Sequence, residues 1–319
     1  MSPGIVLAAA LLIAAFLLYR HYARLQRRKR LLATPLTSEQ RAIIERLVPL
    51  VRRLPAPLRT TLEGKINLFL DQITFHGQNG LEVSDEMRLS IAAQACLLIV
   101  NSPVWYDTLR NVLIYPSAFL THRGTHDGHL IHENNHATLG ESWARGPVIL
   151  SWDHALHGGL DATDGHNVVI HEFAHQLDGL SGHTDGIPIL RKGQAYAGWE
   201  QAMLDAYHDH IERLERGERT LIDPYGATNH EEFFAESIVT FFERPKALRS
   251  EEPQVRADAR APQNGAAHAD QAVVADLDPV QDHAVADRDA PADDQRRAEF
   301  DGGAVLDEDA FHGSGARCR

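Results

Sequence analysis

Residues 171–175 read His-Glu-Phe-Ala-His, within the string Asn167-Val-Val-Ile-His-Glu-Phe-Ala-His-Gln-Leu-Asp178. On a helix, two histidines four apart lie about 40° apart around the axis, so both imidazoles reach one metal ion. The glutamate beside the first histidine then faces a water to be activated rather than the metal itself. Two metal ligands and a general base from one helical turn are the parts of a zinc-dependent hydrolase. Val168, Val169, Ile170, Phe173, Ala174 and Leu177 form an apolar face, while His171, His175 and Asp178 fall on a separate stripe at i, i+4, i+7. A buried amphipathic helix with hydrogen-bonded histidines would show the same apolar face, but it gives no reason for this set on the polar stripe.

A catalytic zinc takes three protein ligands and keeps one position open. A histidine six residues after His175 would mark the metzincin arrangement, but Ser181 stands there, and Asp178 stands where its glycine would be. The third ligand therefore comes from elsewhere, and a glutamate on a later helix is the usual alternative. Residues 223–243 supply the candidates. Thr228 and Glu231 have capping-box spacing, which predicts a helix start there. Phe233, Phe234, Ile238, Phe241 and Phe242 make its core face, and Pro245 marks its stop. Glu232 and Glu236 sit one turn apart on the remaining face.

Both segments resemble the Mlc titration factor A (MtfA) family of zinc peptidases, whose site pattern is shared with anthrax lethal factor. The resembling residues are His171-Glu-Phe-Ala-His175, Leu177-Asp178, Asp223-Pro-Tyr-Gly-Ala-Thr-Asn229 and Glu232-Phe-Phe-Ala235. Leu81–Arg88, Ile91–Leu98, Ile114–Phe119, Gly140–Trp143 and Val148–Trp152 add further strings in the same order, so the likeness runs from about residue 35 to about 250. It implies an α+β, zincin-like domain, mostly helical with a small sheet. It implies one Zn2+ per chain, held by His171, His175 and Glu232 in the gluzincin manner, with Glu172 as general base. Tyr225 matches a tyrosine that leans over the metal and can donate to the oxyanion. Glu236 departs from many MtfA-type relatives, in which that position is apolar. It reads either as a hydrogen-bond partner of a ligand histidine or as a solvated helix residue, and Asp178 has the same two readings. The expected activity is peptide-bond hydrolysis, aminopeptidase-like cleavage included, on peptide or protein substrates. The alternative is a regulatory binding protein that sequesters a transcriptional repressor. An intact Glu172 favours retained chemistry, because a pure binder has no need of a general base.

The surrounding elements must position these groups. Ser38 is a candidate cap for a helix running through Ile43, Ile44, Leu47, Val48 and Val51, and a second helix is expected after Pro57. Ile73–Phe75, Leu81–Val83, Val112–Tyr115 and Val148–Trp152 read as strands, and Met87–Val100 as a helix. Val148–Trp152 is a candidate edge strand for a bound peptide, or else an ordinary core strand. Between the last two strands, His122, His126, His129, His132 and His136 are read as a polar surface hairpin loop; their spacing is irregular and no carboxylate or cysteine completes a zinc set. His154, His157 and His166 are read as loop residues.

Charge and composition bound the remainder. The net charge of −13 argues against a nucleic-acid partner, with +6 in residues 1–30, −10 in 31–250 and −9 in 251–319. Two cysteines, Cys96 and Cys318, exclude a disulfide framework. Gly4–Tyr19 is an uncharged, mostly apolar run, followed by Arg20, Arg24, Arg27, Arg28, Lys29 and Arg30. Charge after the run rather than before it predicts a single-pass anchor in the bacterial inner membrane with the rest of the chain cytoplasmic; the alternative is a cytoplasmic protein. The expected domains are 1–30 anchor and basic segment, 31–250 peptidase, and 251–319 an acidic disordered tail. That tail holds no Ile, Tyr, Trp, Lys or Met, and a change of reading frame near Gln254 would explain its bias.

Overall fold

The computed structural model describes residues 3–127, 130–138, 140–142, 146–181, 186 and 196–252, with those within 119–142 and residues 181, 196 and 197 described by their backbone only. The expected tail after Glu252, Cys318 included, lies outside the described residues. In chain order the helices and strands are α1 (Pro3–Ala33), α2 (Ser38–Leu47), α3 (Ala56–Gln72), β1 (Thr74–Gly77), α4 (Asp85–Leu98), β2 (Asn111–Tyr115), β3 (Phe119–Asp127), β4 (Leu130–Thr138), β5 (Gly140–Ser142), β6 (Val148–Ser151), α5 (Trp152–Leu160), α6 (Val168–Asp178), α7 (Tyr196–Glu215), α8 (His230–Glu243) and α9 (Pro245–Glu251). The fold is mostly helical around a small sheet. α1 is long and apolar enough to cross a membrane.

Caps set the helix starts. Thr37, not Ser38, caps α2, in a reciprocal pair with Gln40. Ser84 caps α4, Asn167 caps α6 and Asn229 caps α8. Thr228 therefore ends the preceding turn at Pro224–Ala227 rather than starting the helix. Arg244 ends α8 and Pro245 opens α9 at its first turn, where a missing N–H does no harm.

The sheet order is β1-β2-β6-β5. β1, β2 and β6 run parallel, and β5 is added antiparallel to β6. β6 is thus an interior strand, pairing Val112 with Val148 on one side and Ser142 with Val148 on the other. Of the two readings of this strand the interior one is realised, and the outer strand on that side is β5. Leu81–Val83 forms no strand, because a turn with Asn79 and Gly80 at positive φ leads the chain directly toward α4. The histidine-rich stretch is a hairpin, as read, but one built of two paired strands: β3 and β4 pair antiparallel from Phe119↔Thr138 to Asp127↔Leu130. Its histidine side chains lie outside the described residues. His154 and His157 sit on α5 rather than in a loop.

α6 lies at the centre. Its core face packs on α4, α5, α8 and the β5–β6 edge. Val169, Ile170, Phe173 and Ala174 are fully buried. Phe173 meets Phe69 at 5.7 Å and Tyr106 at 5.2 Å between ring centroids, which anchors the helix on the side away from the histidines. Cys96 is fully buried on α4, and burial pushes its thiol pKa up, as expected of a small core residue.

Candidate metal centre

α6 and α8 together carry the polar cluster. Asn167 Oδ1 accepts the Ile170 N–H at 2.9 Å and so sets the first turn of α6. Asn229 Oδ1 accepts the Glu232 N–H at 2.8 Å and does the same for α8. His171 and His175 then project from α6 toward Glu232 on α8. His171 Nε2 lies 3.0 Å from Glu232 Oε2, His175 Nε2 lies 3.2 Å from the same oxygen, and the two Nε2 atoms are 3.1 Å apart. These three donors form the one His/Glu group among the described residues that could hold a metal ion. A tetrahedral ion with bonds of about 2.0–2.1 Å separates its ligand atoms by roughly 3.3–3.4 Å, so a breathing motion of a few tenths of an ångström fits this trio to a metal.

The second nitrogen of His171 has its own partner. Glu236 Oε1 lies 3.0 Å from His171 Nδ1, and Glu236 is buried. Of the two readings open for Glu236, the contact with the histidine is the one realised. A proton on Nδ1 donated to Glu236 leaves the Nε2 lone pair facing the cluster. Burial opposes a charge on His171, but the carboxylates of Glu232 and Glu236 outweigh it and hold its pKa well above the ordinary value. Burial likewise favours a neutral Glu232, yet the two imidazoles draw its carboxyl well below the usual range. A histidine held between two carboxylates marks a pocket that asks for a cation, and a metal there must displace the proton from Nε2. Glu236→Ala is expected to lower metal affinity by about 10–100-fold, with Glu236→Gln recovering part of it through its amide oxygen. Competition against a chromophoric chelator measures this, and an unchanged affinity in Glu236→Ala would return the residue to an incidental contact.

Glu172 is buried beside the cluster. Tyr225 sits on its rim, half exposed, with its ring 6.1 Å from that of His171. It is presented by the turn Pro224–Ala227, whose start is fixed by Asp223 Oδ1 accepting the Tyr225 N–H at 2.8 Å. Asp178 is fully buried and accepts the Gly186 N–H at 2.8 Å. Gly186 has φ +76 and stacks on the His230 carbonyl, where a Cβ would collide. Asp178 thus ties the segment after α6 to the start of α8.

One positioning residue has no signal in the sequence. Glu243, at the last turn of α8, accepts the Asn167 amide N–H at 3.0 Å and the Gly165 backbone N–H at 3.0 Å. Asn167 also donates to the Gly158 carbonyl at 2.9 Å. This brace joins the end of one site helix to the cap of the other. Burial, reinforced by nearby Asp164, pushes the Glu243 pKa up to about 8 from 4.5. A carboxyl whose pKa is raised in the folded state favours folding fully below about pH 4.5 and loses that contribution as the pH rises through about 8. The loss is at most on the order of 5 kcal/mol. Glu243→Gln removes this titration, so its stability relative to wild type is expected to rise between pH 5 and pH 9. Thermal melts of both proteins across that range check it; a constant difference would show that Glu243 does not titrate there.

Residues 23–260 match the family described as glucose-regulated metallo-peptidase M90. An uncharacterized protein, slr2042, of Synechocystis sp. is 40% identical over 261 residues, covering 80% of this chain and 94% of its own. Proteins named Mlc titration factor A are similar at lower identity. That of Escherichia fergusonii is 30% identical over 213 residues, covering 65% of this chain and 79% of its own. That of Yersinia pestis is 31% identical over 214 residues, covering 65% and 78%.

Proposed function

The chain belongs to the glucose-regulated metallo-peptidase M90 family, and from that premise we propose that it is a zinc-dependent peptidase acting through His171, Glu172, His175, Tyr225 and Glu232. The observation that carries the reading is the convergence of His171 Nε2, His175 Nε2 and Glu232 Oε2 to within 3.0–3.2 Å of one another. Two imidazoles and one carboxylate are the donor set of a catalytic zinc with an open position. When bound, zinc supplies an acidified water and polarisation of the substrate carbonyl. Glu172, one residue from His171 on the same turn, takes the proton from the attacking water and returns it to the leaving amine. Tyr225, half exposed at the rim, donates its phenol O–H to the developing oxyanion. The sheet edge at β5, beside α6, is where an extended peptide would pair, in place of β6.

The test is cleavage of a peptide library by the full-length protein in detergent, before and after chelation and with zinc restored. Cleavage that chelation leaves untouched would reject the reading. Tyr225→Phe is expected to keep metal and fold while lowering turnover by about 10²–10³-fold. An unchanged rate would make Tyr225 a turn residue.

The name Mlc titration factor A supports a second reading, capture of a transcriptional regulator by binding. The domain, about residues 31–250, is assigned to the cytoplasm as part of the same proposal. The basic cluster Arg20–Arg30 directly after the apolar run of α1 supports an inner-membrane anchor with that orientation, and the acidic tail from residue 251 has the composition of a disordered segment.

A further inference from the structure

α1 does two things along one unbroken helix. Its first half is apolar and exposed, and its second half is packed on the domain. No Gly or Pro lies between Tyr19 and Ala33, so nothing in the sequence interrupts the helix where one half gives way to the other.

The packed half is held at successive turns. Arg27 pairs with Asp71 of α3. The Arg28 guanidinium lies 5.1 Å over the Trp105 ring. Leu31 packs against the core. The Leu32 carbonyl sits against Gly64 of α3, where any Cβ would collide with it. A glycine inside a helix is unfavourable by itself, and here it admits the close approach of α1. The chain that follows has no slack either. Asn67 Nδ2 donates to the Thr34 carbonyl at 2.7 Å, and the Leu36 N–H donates to Glu63 at 3.0 Å.

The dimensions make this consequential. From Tyr19 to Arg27 a helix rises about 12 Å, and one headgroup layer is roughly 5–8 Å thick. The first contact with α3 therefore falls about one helix diameter or less beyond the lipid headgroups. A flexible linker of the fifteen residues from Tyr19 to Ala33 would spread over roughly 20 Å in all directions; a docked helix fixes height and azimuth together. The charges divide accordingly. Arg27 and Arg28 contact the domain, while Arg20, Arg24, Lys29 and Arg30 are exposed, placed to meet anionic headgroups.

We propose that α1 is a rigid strut rather than a tether, holding the domain at one height and orientation against the bilayer and so restricting its substrates to polypeptide presented at the membrane surface, the juxtamembrane stretches of proteins embedded in the same bilayer. The substrate clause rests on the peptidase and anchor readings above; the strut itself rests on the packing of α1.

The experiment uses the full chain in nanodiscs of phosphatidylcholine and phosphatidylglycerol, compared with a ten-residue Gly-Ser insertion between Tyr22 and Ala23 and with Gly64→Leu. A donor dye is placed on exposed α7 through Glu212→Cys in a Cys318→Ser background, Cys96 being buried, and the acceptor is a headgroup-labelled lipid. The wild type should give one narrow distance distribution, broadened by both changes. A wild-type distribution as broad as that of the insertion variant would overturn the strut. The peptide cut best in solution is then fused at increasing distances from a transmembrane anchor. All three proteins should cut the free peptide equally, while the wild type prefers a limited range of distances by at least tenfold and the insertion variant does not. Equal cutting at every distance by the wild type would overturn the substrate clause. No cutting of any free peptide would reject the peptidase reading and the substrate clause with it, leaving the strut to be decided by the distances.

Discussion

Alanine at His171 or at His175 should leave the chain without stoichiometric metal. Each imidazole supplies one of three donors that lie within 3.0–3.2 Å of one another, and two remaining ligands cannot enclose a tetrahedral ion. The loss of affinity should exceed the roughly 10–100-fold attached to residues that only orient a ligand. His171→Ala should be the more disruptive to the metal-free fold, because His171 faces both Glu232 and Glu236 and its removal leaves two buried carboxylates without their shared partner. His175→Ala removes a contact to Glu232 only among the described carboxylates. Metal analysis after dialysis and thermal melts of the metal-free proteins measure the two effects. Full metal content in both variants would end the assignment of the histidines as ligands.

Glu172→Gln should keep the metal and lose hydrolysis by about 10²–10⁴-fold, since the amide cannot take a proton from water. The side chain is buried beside the cluster but is not one of its three donors, so metal content is the control that separates chemistry from ligation. The same variant divides the two functional readings. A regulator captured by binding alone would still be captured, whereas a regulator processed by cleavage would accumulate uncut. Wild-type turnover in Glu172→Gln would mean that another group is the base.

Much of the site was legible in the chain because its information is local. The i, i+4 spacing of His171 and His175, the apolar face around Phe173, the aromatic face of α8 and the stop at Pro245 are all periodic or capping signals carried within one helix. Local signals also left ambiguities that packing resolved. Thr228 and Asn229 are both cap formers, and the turn that presents Tyr225 uses the first of them as its end, so Asn229 caps α8. Val148–Ser151 is a short apolar run of the kind that serves equally as edge or interior strand, and pairing on both sides makes it interior. Glu232 and Glu236 share one face of one helix, and the placement of His171 assigns Nε2 to the first and Nδ1 to the second.

What the sequence determined by itself is therefore the set of candidate side chains and the helical turn that aligns two of them. Only the tertiary structure decided how that turn meets a carboxylate 57 residues away, because the meeting depends on the relative placement of α6 and α8. That placement comes from the direct packing of α6 on α8 and from the Asn167–Glu243 brace. It comes also from Gly186, which donates to Asp178 of α6 and lies against the His230 carbonyl of α8. The same holds for α1, whose length and apolarity are read from composition, while its close backbone approach to α3 needs Gly64, which has no periodic signature and acquires meaning when a second backbone lies against it.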